Sequence, residues 1–65
     1  ITDAGVAALL ADAGCRSAAW NVRINVASLS DRSRGEPMAV EAEELTRRTA
    51  ARAKEVADAV ERALL

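Results

Sequence analysis

The stretch WNVRINVASL, residues 20–29, decides the fold of this 65-residue chain. Within it Asn21, Val22, Arg23, Ile24, Asn25 and Val26 alternate polar and apolar, which is the period of a half-buried strand. The sequence before it is alanine-rich, and Val6, Leu10, Ala13, Ser17, Trp20, Ile24 and Ala27 step by four and three. That spacing is one face of a helix, and it runs through the stretch without losing register. A strand would need a turn before residue 20, and CRSAAW, residues 15–20, carries no turn signal. Val22 and Ile24 are β-branched, at a cost to a long helix of roughly a few tenths of a kcal/mol each. The stretch reads as the end of a helix.

Working outward, Thr2 and Asp3 suit an N-cap, so the first helix is expected over about residues 3–28. Beside its apolar face runs a line of small residues, Ala7, Ala11, Gly14 and Ala18, which another helix can approach closely. Gly14 costs roughly 1 kcal/mol against alanine and marks either such a crossing or a kink. From about 29 to 36 the composition turns to loop, with Ser30, Asp31, Ser33 and Gly35. Pro37 fits the first turn of a second helix over about 37–63, with Glu36 near its cap and Ser33 to Glu36 matching a capping box. Met38, Ala42, Leu45, Thr49, Val56, Ala59 and Ala63 trace its small, apolar stripe. Glu43 with Arg47, Glu44 with Arg48, and Asp58 with Arg62 are acid-before-base pairs at four-residue spacing, the pattern of a solvated outer face.

The expected fold is therefore all-α, with two long helices joined by a short loop. Such a pair encloses no interior, and this chain has one tryptophan, no phenylalanine and no tyrosine with which to build one. It is expected to be a C-terminal segment of a larger multihelical domain, packed on missing N-terminal sequence or on a partner copy. A net charge of −1 with both signs interspersed lacks the basic stripe of a nucleic-acid binder. No apolar run approaches the roughly 20 residues of a membrane span, and no signal-peptide pattern is present. Cys15 is a lone cysteine and the chain has no histidine, which argues against a disulfide or a zinc site within it. A reducing, cytoplasmic setting fits that usage.

On a helix, Asn21 and Asn25 stack on one face beside Val22 and Val26, while Arg23 points toward the face that carries Arg16. Amides beside an apolar face need partners, since burying one without them costs on the order of 1–3 kcal/mol. The two asparagines either tie the helix end to an adjacent loop or line a cleft.

The segment TDAGVAALLADAGCRSAAWNVRINVASL, residues 2–29, resembles the C-terminal part of the formiminotetrahydrofolate cyclodeaminase and methenyltetrahydrofolate cyclohydrolase family. The matching pieces are Asp3, Gly5, Val6 and Ala7, then Asn21, Val22, Arg23, Ile24, Asn25 and Val26. Trp20, the Gly14–Cys15 pair and the DRSRGEP loop, residues 31–37, depart from the family pattern. The resemblance implies an all-helical domain that associates as a homodimer and acts on folate. In the deaminase reaction the folate's second nitrogen attacks a formimino carbon, closes the methenyl ring and expels ammonia. In the cyclohydrolase reaction water attacks that carbon and the ring opens to the formyl derivative. Both need proton transfer that a positioned acid or base supplies, and neither needs a metal or a cofactor beyond the tetrahydrofolate substrate. The resemblance makes Asp3 the candidate catalytic or substrate-orienting carboxylate, against its plain reading as an N-cap. Asn21 and Asn25 become candidate pterin contacts. Arg23 would meet folate carboxylates or an acidic residue across the dimer.

A second reading, from a different class, is a non-catalytic helical hairpin whose small-residue faces serve assembly alone.

Overall fold

The computed structural model describes residues 2–65. Helix α1 spans Thr2–Ala27 and helix α2 spans Glu36–Leu64, joined by a loop that holds one 3-10 turn, Arg32–Arg34. The opening stretch is helical from Trp20 to Ala27, and no strand occurs among the described residues. Helix α1 ends where Ser28 folds its hydroxyl back onto the Ile24 carbonyl at 3.0 Å. Both helices run close to the lengths that periodicity gives.

The two helices lie antiparallel along a narrow seam. In α1 the inward positions are Gly5, Ala8, Asp12, Cys15, Ala19, Val22 and Val26; in α2 they include Ala39, Ala42, Thr46, Thr49, Ala53, Val56 and Val60. Both series step by three and four, the spacing of a coiled-coil seam. Nearly all these side chains are small, so the backbones approach closely. Gly5 lies under Val60, where an added Cβ would stand 3.0 Å from Val60 Cγ2. Halfway along, Cys15 Sγ sits 3.9 Å from Thr46 Oγ1, whose hydroxyl donates to the Ala42 carbonyl at 2.8 Å.

This seam is not the line that the sequence pattern singles out. Val6, Leu10, Trp20 and Ile24 are 56%, 67%, 56% and 62% exposed, so the most apolar face of α1 points away from α2. The small line of Ala7, Ala11, Gly14 and Ala18 is exposed as well, and a Cβ at Gly14 would meet nothing within 4 Å. A close crossing with α2 therefore does not explain that glycine. In α2, Met38, Leu45 and Ala63 of the expected stripe also face outward. A pair of helices buries one stripe each, and α1 has apolar residues almost all round; the stripe it buries is made mostly of small residues, which lets the backbones approach closely.

The caps differ in detail. Helix α1 already includes Thr2, which puts Asp3 inside the first turn rather than at the cap; its exposed carboxylate still faces the positive end of the helix. Gly35, not Ser33, is the N-cap of α2, with no side-chain cap bond, and Pro37 falls in the first turn as expected. The Ser33–Glu36 capping box does not form. Ser33 instead gives both its amide and its hydroxyl to Asp31 Oδ1, which caps the 3-10 turn.

Among the described residues, only Ala19 and Ala53 are buried as hydrophobic core. The hairpin measures 53 × 14 × 11 Å, with a radius of gyration of 15.1 Å, against about 11 Å for a compact chain of this length. Its accessible surface of 5036 Å² exceeds the ~4,000 Å² of a compact monomer of equal mass.

Candidate functional site

The candidate residues divide between the two ends of α1. Asp3 stands at one end. Asn21, Arg23 and Asn25 stand at the other, near the hairpin tip. Asp3 and Asn21 are separated by about 27 Å at the helical rise of ~1.5 Å per residue. Within one chain they cannot reach a common reacting atom.

The tip residues divide again, across the seam. Val22 and Val26 turn inward, and Asn21 and Asn25 follow one flank of α1, both exposed. Among the described residues neither asparagine side chain has a hydrogen-bond partner, so the loop tie that one reading gives them does not form. Arg23 occupies the opposite flank, as the helical period requires of a residue two positions from each. There it lines two adjoining clefts. The larger, about 590 Å³, is bounded by Trp20, Arg23, Ile24 and Ala27 of α1, Arg32 of the 3-10 turn, and Glu36 and Ala39 of α2. The smaller, about 210 Å³, lies between Arg16, Trp20 and Arg23 on one helix and Glu43, Thr46 and Arg47 on the other.

Trp20, Arg32 and Glu36 are the residues that sequence reasoning did not place. Trp20 stood out as a departure from the family pattern, and its indole now forms the wall shared by both clefts. Arg32 reaches the tip because the Asp31-capped turn reverses the chain there. Its Nη2 makes a long bond, 3.5 Å, to the Ala27 carbonyl at the C-terminal end of α1. A cation is favourable at that end, where carbonyls lack helical partners.

Ion pairing sets which cations remain available. Arg16 pairs with Asp12 at 3.6 Å, Arg47 Nη2 donates to Glu44 Oε2 at 2.8 Å, and Lys54 Nζ donates to Asp58 Oδ2 at 2.9 Å. The expected pairs Glu43–Arg47, Glu44–Arg48 and Asp58–Arg62 are replaced by these. Glu44 turns to Arg47, three residues on, and Asp58 turns back to Lys54. Arg48 and Arg62 act on those carboxylates only through the field. The hydrogen bond from Arg47 and then its charge hold Glu44 below the usual carboxylate range, and Lys54 does the same for Asp58. Among the described residues Arg23 and Arg32 have no carboxylate partner.

Asp12 is the other polar feature of note. It sits on the α1 seam, its side chain 23% exposed, and its Oδ1 is buried without a hydrogen-bond partner. Among the described residues, no three cysteine, aspartate or glutamate side chains gather in a metal-holding group. No helix among them is long and apolar enough to cross a membrane.

Compared with known proteins, the chain matches the family model described as formiminotransferase-cyclodeaminase over residues 1–44. No curated protein and no solved structure matches it. The matched span holds all of α1, the 3-10 turn and the first turns of α2, and so contains Asp3, Asn21, Arg23 and Asn25. The chain belongs to the formiminotransferase-cyclodeaminase family.

Proposed function

We propose that the chain is the C-terminal part of a one-carbon folate enzyme, with formiminotetrahydrofolate cyclodeaminase or methenyltetrahydrofolate cyclohydrolase activity in the full-length protein. The observation that carries this reading is the family match, which spans both the DAGVA and the NVRIN residues. Asp3 supplies or orients a proton at the reacting nitrogen or carbon, and it lies exposed in a first helical turn, open to substrate. Asn21 and Asn25 offer the amide donors and acceptors that a pterin edge needs, and Arg23 offers a guanidinium to the carboxylates of the substrate.

The distance between these groups gives the reading its architecture. The outward face of Val6, Leu10, Trp20 and Ile24 is exposed in the hairpin, and on this reading it packs on N-terminal sequence of the same domain and on a second copy. Two α1 helices laid antiparallel in a homodimer set Asp3 of one copy near Asn21 and Asn25 of the other. The 65-residue chain alone is then inactive.

An absorbance assay of the full-length protein tests the reading. It follows methenyltetrahydrofolate forming from the formimino substrate and disappearing on hydrolysis. Activity in either direction is expected, with Asp3→Asn lowering kcat by roughly 10²-fold or more. An inactive full-length protein overturns the reaction, and an unchanged rate in Asp3→Asn returns Asp3 to a helix-end charge.

A further inference from the structure

Along α2, Glu41, Arg48, Glu55 and Arg62 stand seven residues apart and alternate in sign. That spacing puts them on one line of the helix. All four are exposed, and among the described residues none of them forms an ion pair. Leu45 and Met38 lie beside the line, 43% and 62% exposed. On α1, the exposed small residues Ala7, Ala11, Gly14 and Ala18 form a second line, and a Cβ at Gly14 would meet nothing. One flank of the seam carries Trp20 and Arg23 of α1 beside Glu43 and Arg47 of α2. Both lines lie beyond the seam stripe from those residues, so they share the other flank, the one with Asn21 and Asn25.

The charged line is complementary to its own reverse. An antiparallel copy of α2 sets Glu41 against Arg62 and Arg48 against Glu55, each twice by symmetry, and no other antiparallel register pairs all four. A parallel copy in register sets every charge against its like. Flanking charges of this kind choose partner and orientation in helix pairs. The small line also matches its reverse, about a point between residues 12 and 13, with Ala11 against Gly14 and Ala7 against Ala18. The seam brings the two centres to one level. Cys15 lies against Thr46 and Gly5 under Val60, so residues 12–13 stand beside residues 49–51, within two residues of the centre of the charged line. That offset is ~3 Å or less at the helical rise, which Glu and Arg side chains span. One two-fold axis serves both helices.

We propose that this flank is the interface with a second copy of the chain, in a four-helix bundle of two hairpins whose register is set by the charged line of α2. The flank measures 53 × 14 Å, about 700 Å², near the ~800 Å² that each partner buries in a standard interface. Gly14 gains a close helix crossing there, at Ala11 of the second copy. Ala4, next to Asp3, falls opposite Asn21 of the second copy, so the partner completes the candidate site. The Val6–Leu10–Trp20–Ile24 face is left to N-terminal sequence. The pairing deepens the homodimer read above and rests on that reading for its two copies, but not on the folate reaction.

Zero-length cross-linking of the full-length protein tests the register. Arg48→Lys keeps the charge and supplies an amine, which a carbodiimide joins to a carboxylate in contact with it. Residues 48 and 55 of one copy are ~10 Å apart along the helix, too far for such a link. An exchanged mixture of light- and heavy-nitrogen protein should therefore give a mixed-label peptide joining residue 48 to Glu55, read by mass spectrometry. Absence of that peptide overturns the proposal, as does a mixed link from residue 48 to Glu41. Sedimentation equilibrium then measures the dimer. Arg48→Glu turns two attractions into repulsions and should raise the dimer Kd about tenfold or more, and adding Glu55→Arg should restore it. Failure of the second change to rescue the first overturns the pairing. Arg52 meets its own copy near the axis, so Arg52→Leu should tighten the dimer, and weakening would contradict the register. Gly14→Leu should break the dimer while circular dichroism shows its helix content kept; an intact dimer overturns the close crossing. An inactive protein that gives the 48–55 link marks failure of the folate reaction alone, and an active one without it marks failure of this interface.

Discussion

Gly35 packs so tightly against Val26 that a Cβ at position 35 would lie 2.8 Å from Val26 Cγ2 and 2.9 Å from Leu29 Cδ1. The backbone there is ordinary, with φ −102° and ψ −16°, so the glycine is required for space rather than for conformational freedom. Leu29 can swing aside, but Val26 is β-branched and held at the seam. Gly35→Ala is expected to destabilise the hairpin by about 1–3 kcal/mol through overpacking. Thermal unfolding followed by circular dichroism measures it. Combining it with Val26→Ala restores most of the loss if the clash is with Val26, and an additive double variant would place the strain elsewhere.

Asp12 occupies a seam position between the small side chains of Ala8, Cys15 and Ala19. Its Oδ2 has Arg16, but its Oδ1 is buried without a partner. An orphaned acceptor costs on the order of 1–3 kcal/mol, and aspartate is a weaker helix former than alanine. Asp12→Ala is expected to raise stability by about 1 kcal/mol, since Arg16 is half exposed and returns readily to water. A lower unfolding midpoint for this variant would mean that Asp12 has a partner outside the hairpin.

Helix existence, the position of the loop and the place of Pro37 were legible from periodicity and turn chemistry. The seam was not. In α1 the Val6–Leu10–Trp20–Ile24 face is the most apolar, and hydrophobicity alone assigns it to the interior. Yet the inward line runs through Gly5, Asp12 and Cys15, because an antiparallel pair of alanine-rich helices packs by close approach rather than by side-chain bulk. The three-four step shared by both helices carried that information, and only matching one helix against the other reveals it. For the candidate site, the spacing of Asn21, Arg23 and Asn25 already separated the amides from the guanidinium. Arg32 and Glu36 reach the cleft through the fold of the loop, where the sequence has no period to read.

The exposed ion pairs predict a modest acid sensitivity. Arg47 and Lys54 lower the carboxyl pKa values of Glu44 and Asp58 relative to the unfolded chain. A depressed carboxyl pKa contributes stability above the unfolded value, and that contribution is lost as pH falls through the folded one. Helix content should therefore decline slightly on acidification below about pH 4, the ordinary range of these groups. Both pairs face solvent, so 1 M salt should remove most of the effect by screening. Glu44→Gln should abolish its share of the decline. Stability that rises on acidification would reverse the sign and contradict the pairing.

Asn21 and Asn25 give the sharpest separation between a structural and a functional role. A structural tie requires a hydrogen-bond partner, and among the described residues both side chains stand exposed on one flank without one. Alanine is the better helix former by roughly half a kcal/mol at each position. Asn21→Ala and Asn25→Ala should then leave the hairpin as stable as before or slightly more so. If the amides contact substrate, the same variants of the full-length protein should raise KM several-fold with a smaller change in kcat, since they bind rather than transfer protons. Loss of stability in both variants would instead show that the amides tie α1 to sequence outside the hairpin. Unchanged stability with unchanged KM would remove them from the site and leave Arg23 as the only tip residue of the NVRIN string with a binding role.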